Sequence, residues 1–234
     1  MQAFLIFIDD MEDSERYDRL EGRSDMSLLK DMSYGNKDAL KEMLRRYLDL
    51  VSRTAFRILC DREDSENVTV RVFVSLWHDV LEYDDRFTVE EWILRKTCIY
   101  CRLRIMRRRI LRLFGVMNEV FVKVPPSSAD ADDYLTKQAW QLHCRCVTHM
   151  TPLQSAVYAL CVLEGMPEVR VADITGMTGF RISLALERAE DKVRSELKDY
   201  GKEDQYDSYN GFLRRVAEGM SDMDKLNKMI VFAV

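Results

Sequence analysis

From Asn36 through Phe114 the chain contains neither glycine nor proline. That gap restricts the fold more than any motif does. A protein of short strands needs a turn roughly every 8–12 residues, and turns are built mostly on those two residue types. Within the gap, Leu40, Met43, Leu44, Tyr47, Leu48, Val51, Ala55, Ile58 and Leu59 recur at three- and four-residue steps. This spacing puts them on one face of an α-helix. Only nine Gly and four Pro occur in all 234 residues, so the expectation is an all-α protein. With 47% apolar and 32% charged residues, the chain is globular in composition and long enough for one large core or two small ones.

Capping signals divide the helices. A first helix is expected in "SLLKDM" after Ser27, ending near Gly35, and Asn36 can cap the next. Acidic "DREDSEN" opens a third helix carrying Val68, Val72, Phe73, Leu76 and Trp77. Thr88 and Glu91 form a capping box for the helix that ends in "RIMRRRILRLF". The stretch "GVMNEVFVKVPPSSADADD" interrupts the pattern and predicts a linker over 115–130. Helical spacing resumes around Tyr134, with Ala139, Trp140, Leu142 and Val147. Thr151–Pro152 starts another helix, which stops at Gly165. A last amphipathic run is expected from about Phe212 to Phe232. The division is therefore an N-terminal extension (1–25), two helical domains (26–114 and 131–200) and a C-terminal extension (201–234).

The net charge of −5 argues against a nonspecific nucleic-acid coat, but it is unevenly spread. No acid occurs from Trp92 to Asn118, where Arg95, Lys96, Arg102, Arg104, Arg107, Arg108, Arg109 and Arg112 all fall. Self-repulsion disfavours such a run as a plain solvated face and favours anion binding. Phe87, Trp92 and Tyr100 lie near it and could stack on bases, whereas Trp77 and Trp140 are expected in the core. The six cysteines are scattered through helical patterns, which predicts reduced, buried thiols and a cytoplasmic chain. Cys98–Cys101 with His143, Cys144 and Cys146 would need a specific docking of two domains to hold zinc, so no metal is expected. No catalytic constellation, cofactor loop, signal peptide or membrane span is recognisable. An enzyme is not expected.

In "VADITGMTGFRISLALERAEDKV", residues 171–193, a short apolar helix meets a long one. Val171, Ala172 and Ile174 share a side, Gly176 can take the positive φ that ends the first helix, and Thr178 can cap the second. Ile182, Leu186, Ala189, Val193 and Leu197 then form a buried stripe, with Arg181, Ala185, Arg188 and Lys192 on another face. This is a helix-turn-helix plan, whose second helix suits a major groove, and the segment alone equally fits an ordinary helical hairpin in an all-α core.

Residues 27 to 199 resemble the extracytoplasmic-function (ECF) sigma factors of bacterial RNA polymerase. In the first half the resemblance rests on Gly35, Ala39, Leu40, Tyr47, Ala55, Ile58, Leu59, Asp61, Glu66, Val68, Val72, Phe73, Leu76, Trp77, Trp92, Arg95 and the terminal arginines. These match the family's region 2. In the second half Gly165, Ala172, Ile174, Gly176, Thr178, Ile182, Leu186, Arg188 and Ala189 match region 4. The resemblance implies a non-enzymatic initiation factor with core RNA polymerase, promoter DNA and an anti-sigma factor as partners.

It also implies roles. The helix around Asp64, Glu66, Asn67, Val70, Arg71, Val74 and Trp77 would dock on the polymerase β′ coiled coil. Arg95, Lys96, Arg102, Arg104, Arg107, Arg108 and Arg109 would hold the minus-ten element and favour melting. Thr178, Arg181, Ser183, Arg188 and Lys192 would meet the minus-thirty-five element. The sequence departs from the family at several of these places. Val70 and Arg71 replace a usual Gln and Glu, Cys98 and Ile99 a frequent Arg and Asn, and Leu103 a usual Asp. Ser183, Ala185, Glu187 and Glu190 replace basic or polar residues. An interaction adaptor that kept the fold but lost promoter reading is the alternative, with a repressor or activator using the helix-turn-helix alone as a third. The apolar ends "AFLIFI" and "MIVFAV" could pair as a small sheet, pack on the core or meet a partner, and residues 201–234 could bind a partner or self-inhibit.

Overall fold

A computed structural model describes residues 22–115, 131–199, 203–216 and 223–234. These residues form ten α-helices. The first four are α1 (Asp25–Ser33), α2 (Lys37–Leu59), α3 (Arg62–His78) and α4 (Val89–Leu113). Across the linker come α5 (Ala131–His149), α6 (Pro152–Val157), α7 (Glu168–Thr175), α8 (Gly179–Asp199), α9 (Tyr206–Val216) and α10 (Met223–Ala233). The all-α expectation holds.

The caps fix the boundaries. The side chains of Ser24, Asn36 and Asp61 accept from backbone N–H groups in the first turns of α1, α2 and α3. Thr88 with Glu91 and Thr151 with Gln154 complete reciprocal capping boxes for α4 and α6. Each satisfies donors that a helix start otherwise leaves open. Helix α1 begins earlier than its apolar residues suggest, because Ser24 rather than Ser27 is the cap. Helix α6 runs on as a π-helical segment, Tyr158–Leu163.

The first four helices pack around Leu40, Met43, Ile58, Val72, Phe73 and Ile93. The second half packs around Trp140, Tyr158, Val193 and Leu213, and borrows Phe56 and Cys60 from the α2 end of the first half. Phe56 stacks on Trp140 with ring centroids 4.4 Å apart. A third cluster joins Leu94 of α4 to Leu160, Val171, Ile174 and Ile182. Each cluster therefore includes buried residues from both halves.

Polar bonds repeat that join. Glu164 receives Arg57 and Arg53 of α2, the latter with Nε at 3.1 Å. Arg170 pairs with Glu90 and Glu91 at 2.9 Å each. His143 is fully buried, and its Nε2–H donates to the Arg57 carbonyl at 2.9 Å. Burial pushes its pKa down to about 4, so the ring is neutral near pH 7.

The C-terminal run is two helices rather than one, and α9 begins at Tyr206, ahead of Phe212. The end that reads "MIVFAV" is helical, which rules out its pairing as a strand. Leu226 and Ile230 of α10 are fully buried in the first core, and Lys225 reaches Glu66 of α3 at 2.6 Å. Segment 1–21, including "AFLIFI", and residues 116–130 of the linker lie outside the described residues. No helix among the described residues is long and apolar enough to cross a membrane.

Candidate nucleic-acid and polymerase interface

Helix α4 turns its basic residues in three directions. Arg104 and Arg108 face inward to α3, where both pair with Asp64, and Arg108 also reaches Asp61 at 3.2 Å and the Leu59 carbonyl. The bond to Asp64 raises the Arg104 pKa further. Lys96 donates to Asp79 at 2.7 Å and Ser75 at 3.0 Å, and it holds the Asp79 carboxyl below its ordinary range. Arg95 bonds the Asp173 carbonyl at 3.2 Å and stands against Gly176, whose φ is +67°. A Cβ on Gly176 would come within 3.3 Å of the Arg95 guanidinium, so this turn needs glycine for its backbone angle and for the close approach.

Arg102, Arg107, Arg109 and Arg112 face solvent. Arg109 donates to the Met150 carbonyl at 2.7 Å. No carboxylate among the described residues pairs with Arg102, Arg107 or Arg112. The expectation that Lys96, Arg104 and Arg108 face the minus-ten element is thus corrected: they are tied to carboxylates because Asp61, α3 and the turn after it bring acids against the inner face of α4. Arg112, absent from the expected set of DNA-binding residues, belongs to the open row.

The aromatic residues are also reassigned. Trp92 is 7% exposed and packs edge-on against Tyr83 at 5.2 Å, which leaves no face for a base. Phe87 and Tyr100 are half-buried, with Arg95 and Arg71 over their rings at 5.2 and 4.9 Å. Trp140 lies in the core as expected, whereas Trp77 is only partly buried at its edge.

Helices α7 and α8 form the helix-turn-helix. Val171, Ile174, Ile182, Ala189, Val193 and Leu197 are buried, while Leu186 is half-buried. Ala185 is buried rather than outward. Thr178, Arg181, Ser183 and Arg188 are exposed, and the Ser183 hydroxyl donates to Glu168. Lys192 is corrected as a surface residue open to DNA. Its ammonium donates to the His149 carbonyl at 2.6 Å and to Gln154 at 2.8 Å, tying α8 to the α5–α6 junction. Glu187 and Asp191 stand on the exposed side of α8 beside Arg188.

On α3, Asn67 and Arg71 are exposed and Val70, Val74 and Trp77 half-buried, forming one helical face. Asp64 and Glu66 border that face but are buried and paired rather than open. Asp64 is 3% exposed beneath Arg104 and Arg108, and Glu66 is bracketed by Arg62 at 2.9 Å and Lys225. Burial alone would raise the Glu66 pKa, but these two cations lower it. Both acids are therefore corrected from docking residues to internal anchors. The acids that open α3 were visible in the sequence as dipole partners, but not as anchors for another helix.

The two cysteine groups occupy separate cores, Cys101 with the first and Cys144 and Cys146 with the second. Burial pushes the Cys98 and Cys146 thiols up to about 12, so both are protonated near neutral pH.

No family model and no curated protein sequence matches the chain. Solved structures do. One is CnrH in complex with the cytosolic domain of CnrY, at 16% identity and a TM-score of 0.54, covering 75% of this chain and 97% of that one. Another is the sigma factor RpoE in complex with the anti-sigma factor NepR from Bartonella quintana, at 18% identity and a TM-score of 0.52, covering 68% and 96%. At this level of identity the likeness is one of fold. The chain thus has an all-α fold of the sigma-factor type, with a helix-turn-helix in its second half, as its resemblance to the ECF group implies.

Proposed function

We propose that the chain acts as an ECF-type sigma factor, which joins core RNA polymerase, directs it to promoters and assists DNA melting. The observation that carries this reading is the row Arg102, Arg107 and Arg112. It is exposed, and among the described residues it has no carboxylate partner, on a helix of a sigma-type fold that also presents a helix-turn-helix. Guanidinium groups free of internal acids are available to phosphates, and each phosphate they neutralise releases counterions.

In this reading α4 holds the minus-ten element through Arg102, Arg107, Arg109 and Arg112. Thr178, Arg181, Ser183 and Arg188 of α8 meet the upstream element. Asn67, Val70, Arg71, Val74 and Trp77 of α3 meet the β′ coiled coil. An acidic chain binds DNA weakly alone, and tethering to polymerase supplies the missing effective concentration. An anti-sigma protein is a natural further partner, since RpoE is seen bound to one, and action on the chromosome places the chain in the cytoplasm. The test is reconstitution with core polymerase and mapping of transcript starts. Promoter-dependent starts are expected.

The adaptor reading is favoured by one observation, the acids Glu187 and Asp191 on the exposed side of α8. They oppose phosphate beside Arg188. Co-purification with a partner but without polymerase or DNA binding would decide for it.

A further inference from the structure

Among the described residues Cys60 alone has a positive φ without being glycine, at +53°. It ends α2, a position that glycine fills without strain. Its side chain belongs to the second core, in the cluster that also holds Cys144 of α5. The two thiols interact directly. They line one cavity of about 50 Å³, together with Arg108, Arg109 and Arg112. Arg109 and Arg112 are exposed, so the cavity opens to solvent. A void of that size holds a molecule somewhat larger than water.

We propose that Cys60 and Cys144 are a peroxide-sensitive dithiol that closes to a disulfide joining the two halves. Cys60 is 9% exposed against 2% for Cys144, so it reacts first. Its sulfur bonds to one oxygen of hydrogen peroxide, the O–O bond breaks, and the thiol proton leaves with the other oxygen as water. The Cys144 sulfur then attacks the sulfenic acid on Cys60. An S–S bond forms, the S–O bond breaks, and the hydroxyl departs with the Cys144 proton as a second water. The peroxide is reduced by two electrons and the two thiols are oxidised by two. The guanidinium groups around the cavity stabilise negative charge as it develops on sulfur and on the departing oxygen.

Burial, and then the neighbouring Cys144 thiol, hold the Cys60 pKa well above its ordinary value. The resting pair is therefore a dithiol near neutral pH. A reducing compartment returns it to that state, which suits a transient bridge rather than a permanent one.

The consequence rests on the proposed sigma activity. Helices α4 and α8 would then meet elements about 25 base pairs apart, roughly 85 Å of duplex. The halves share buried contacts such as Phe56 on Trp140 at 4.4 Å, so reading both elements requires those contacts to open. The bridge holds them closed.

The test uses the full reduced chain, without polymerase or DNA. After exposure to hydrogen peroxide the remaining thiols are alkylated, and the digest is read by mass spectrometry. The expected result is loss of two of the six thiols, one linked Cys60–Cys144 peptide and full recovery with dithiothreitol. Cys144→Ala cannot close the bridge and should accumulate a dimedone adduct on Cys60. If that variant fails to fold, the map of the wild-type chain still decides the matter.

A bridge at another pair, such as Cys98–Cys101 or Cys98–Cys161, overturns the proposal. So does the absence of any bridge once free cysteine in a parallel sample is fully oxidised. The bridged chain, added to core polymerase, should lose promoter opening and regain it with dithiothreitol. Undiminished opening by the bridged chain overturns the regulatory role. A reduced chain that never opens promoters counts against the sigma reading instead, because the bridge is read without polymerase.

Discussion

Arg104 Nε lies 2.5 Å from Asp64 Oδ1, and Arg108 closes on the same carboxylate from the next turn of α4. One buried acid of α3 thus pairs with two arginines of the basic run, and Asp61 supplies a second negative charge beside Arg108. Removing one partner of a buried pair costs more than the pair contributes, because the remaining charges stay desolvated. Asp64→Ala is expected to destabilise the fold by about 3–5 kcal/mol, read from urea unfolding midpoints. Arg102→Ala, on the exposed side, should stay within about 0.5 kcal/mol.

The same division predicts how DNA affinity responds to salt. In the complex with polymerase, replacing Arg102, Arg107 and Arg112 by Ala should weaken binding to promoter DNA and flatten the salt dependence. The slope should fall by roughly 0.7–0.9 for each phosphate that is no longer neutralised. Fluorescence titrations across a salt series measure both. An unchanged slope would remove these residues from the interface.

His143 makes stability pH-dependent. Its folded pKa, held near 4 by burial, lies below the ordinary value of 6.5. The unfolded chain therefore binds the extra proton first as pH falls. Its neutral-ring contribution is full above about pH 6.5 and is lost progressively down to about pH 4, amounting to at most about 3 kcal/mol. Unfolding of the wild type and of His143→Phe, compared from pH 7 to 4, isolates it. The wild type should lose more stability than the variant over that window.

The C-terminal helix is an integral part of the first core. Leu226→Ala and Ile230→Ala should each cost about 2–5 kcal/mol, measurable as lowered thermal midpoints. A small, surface-like effect would mean that α10 sits on the first half without sharing its core.

Much of the fold was legible. The Thr88–Glu91 capping box, the Thr151–Pro152 helix start and Gly176 are local signals, and each maps to an observed boundary. Where the signal was non-local, legibility failed. Nothing in "DREDSEN" indicates that Asp64 will turn beneath α4, because that depends on how two helices pack. Lys192 reads as one more cation at helical spacing until His149 and Gln154 arrive from other helices. An apolar row from Ile99 to Leu113 was present in the sequence but hidden by the arginines threaded through it. Only its exposure distinguishes this row from a buried face.

Open-complex formation in a reconstituted system with core polymerase tests the central claim most directly. The wild-type chain should open promoter DNA, detected by permanganate reactivity around the start site. The variant with Arg102, Arg107 and Arg112 replaced by Ala should bind polymerase and remain folded yet fail to open it. Undiminished opening by that variant, or no association of the wild type with polymerase, would contradict the account.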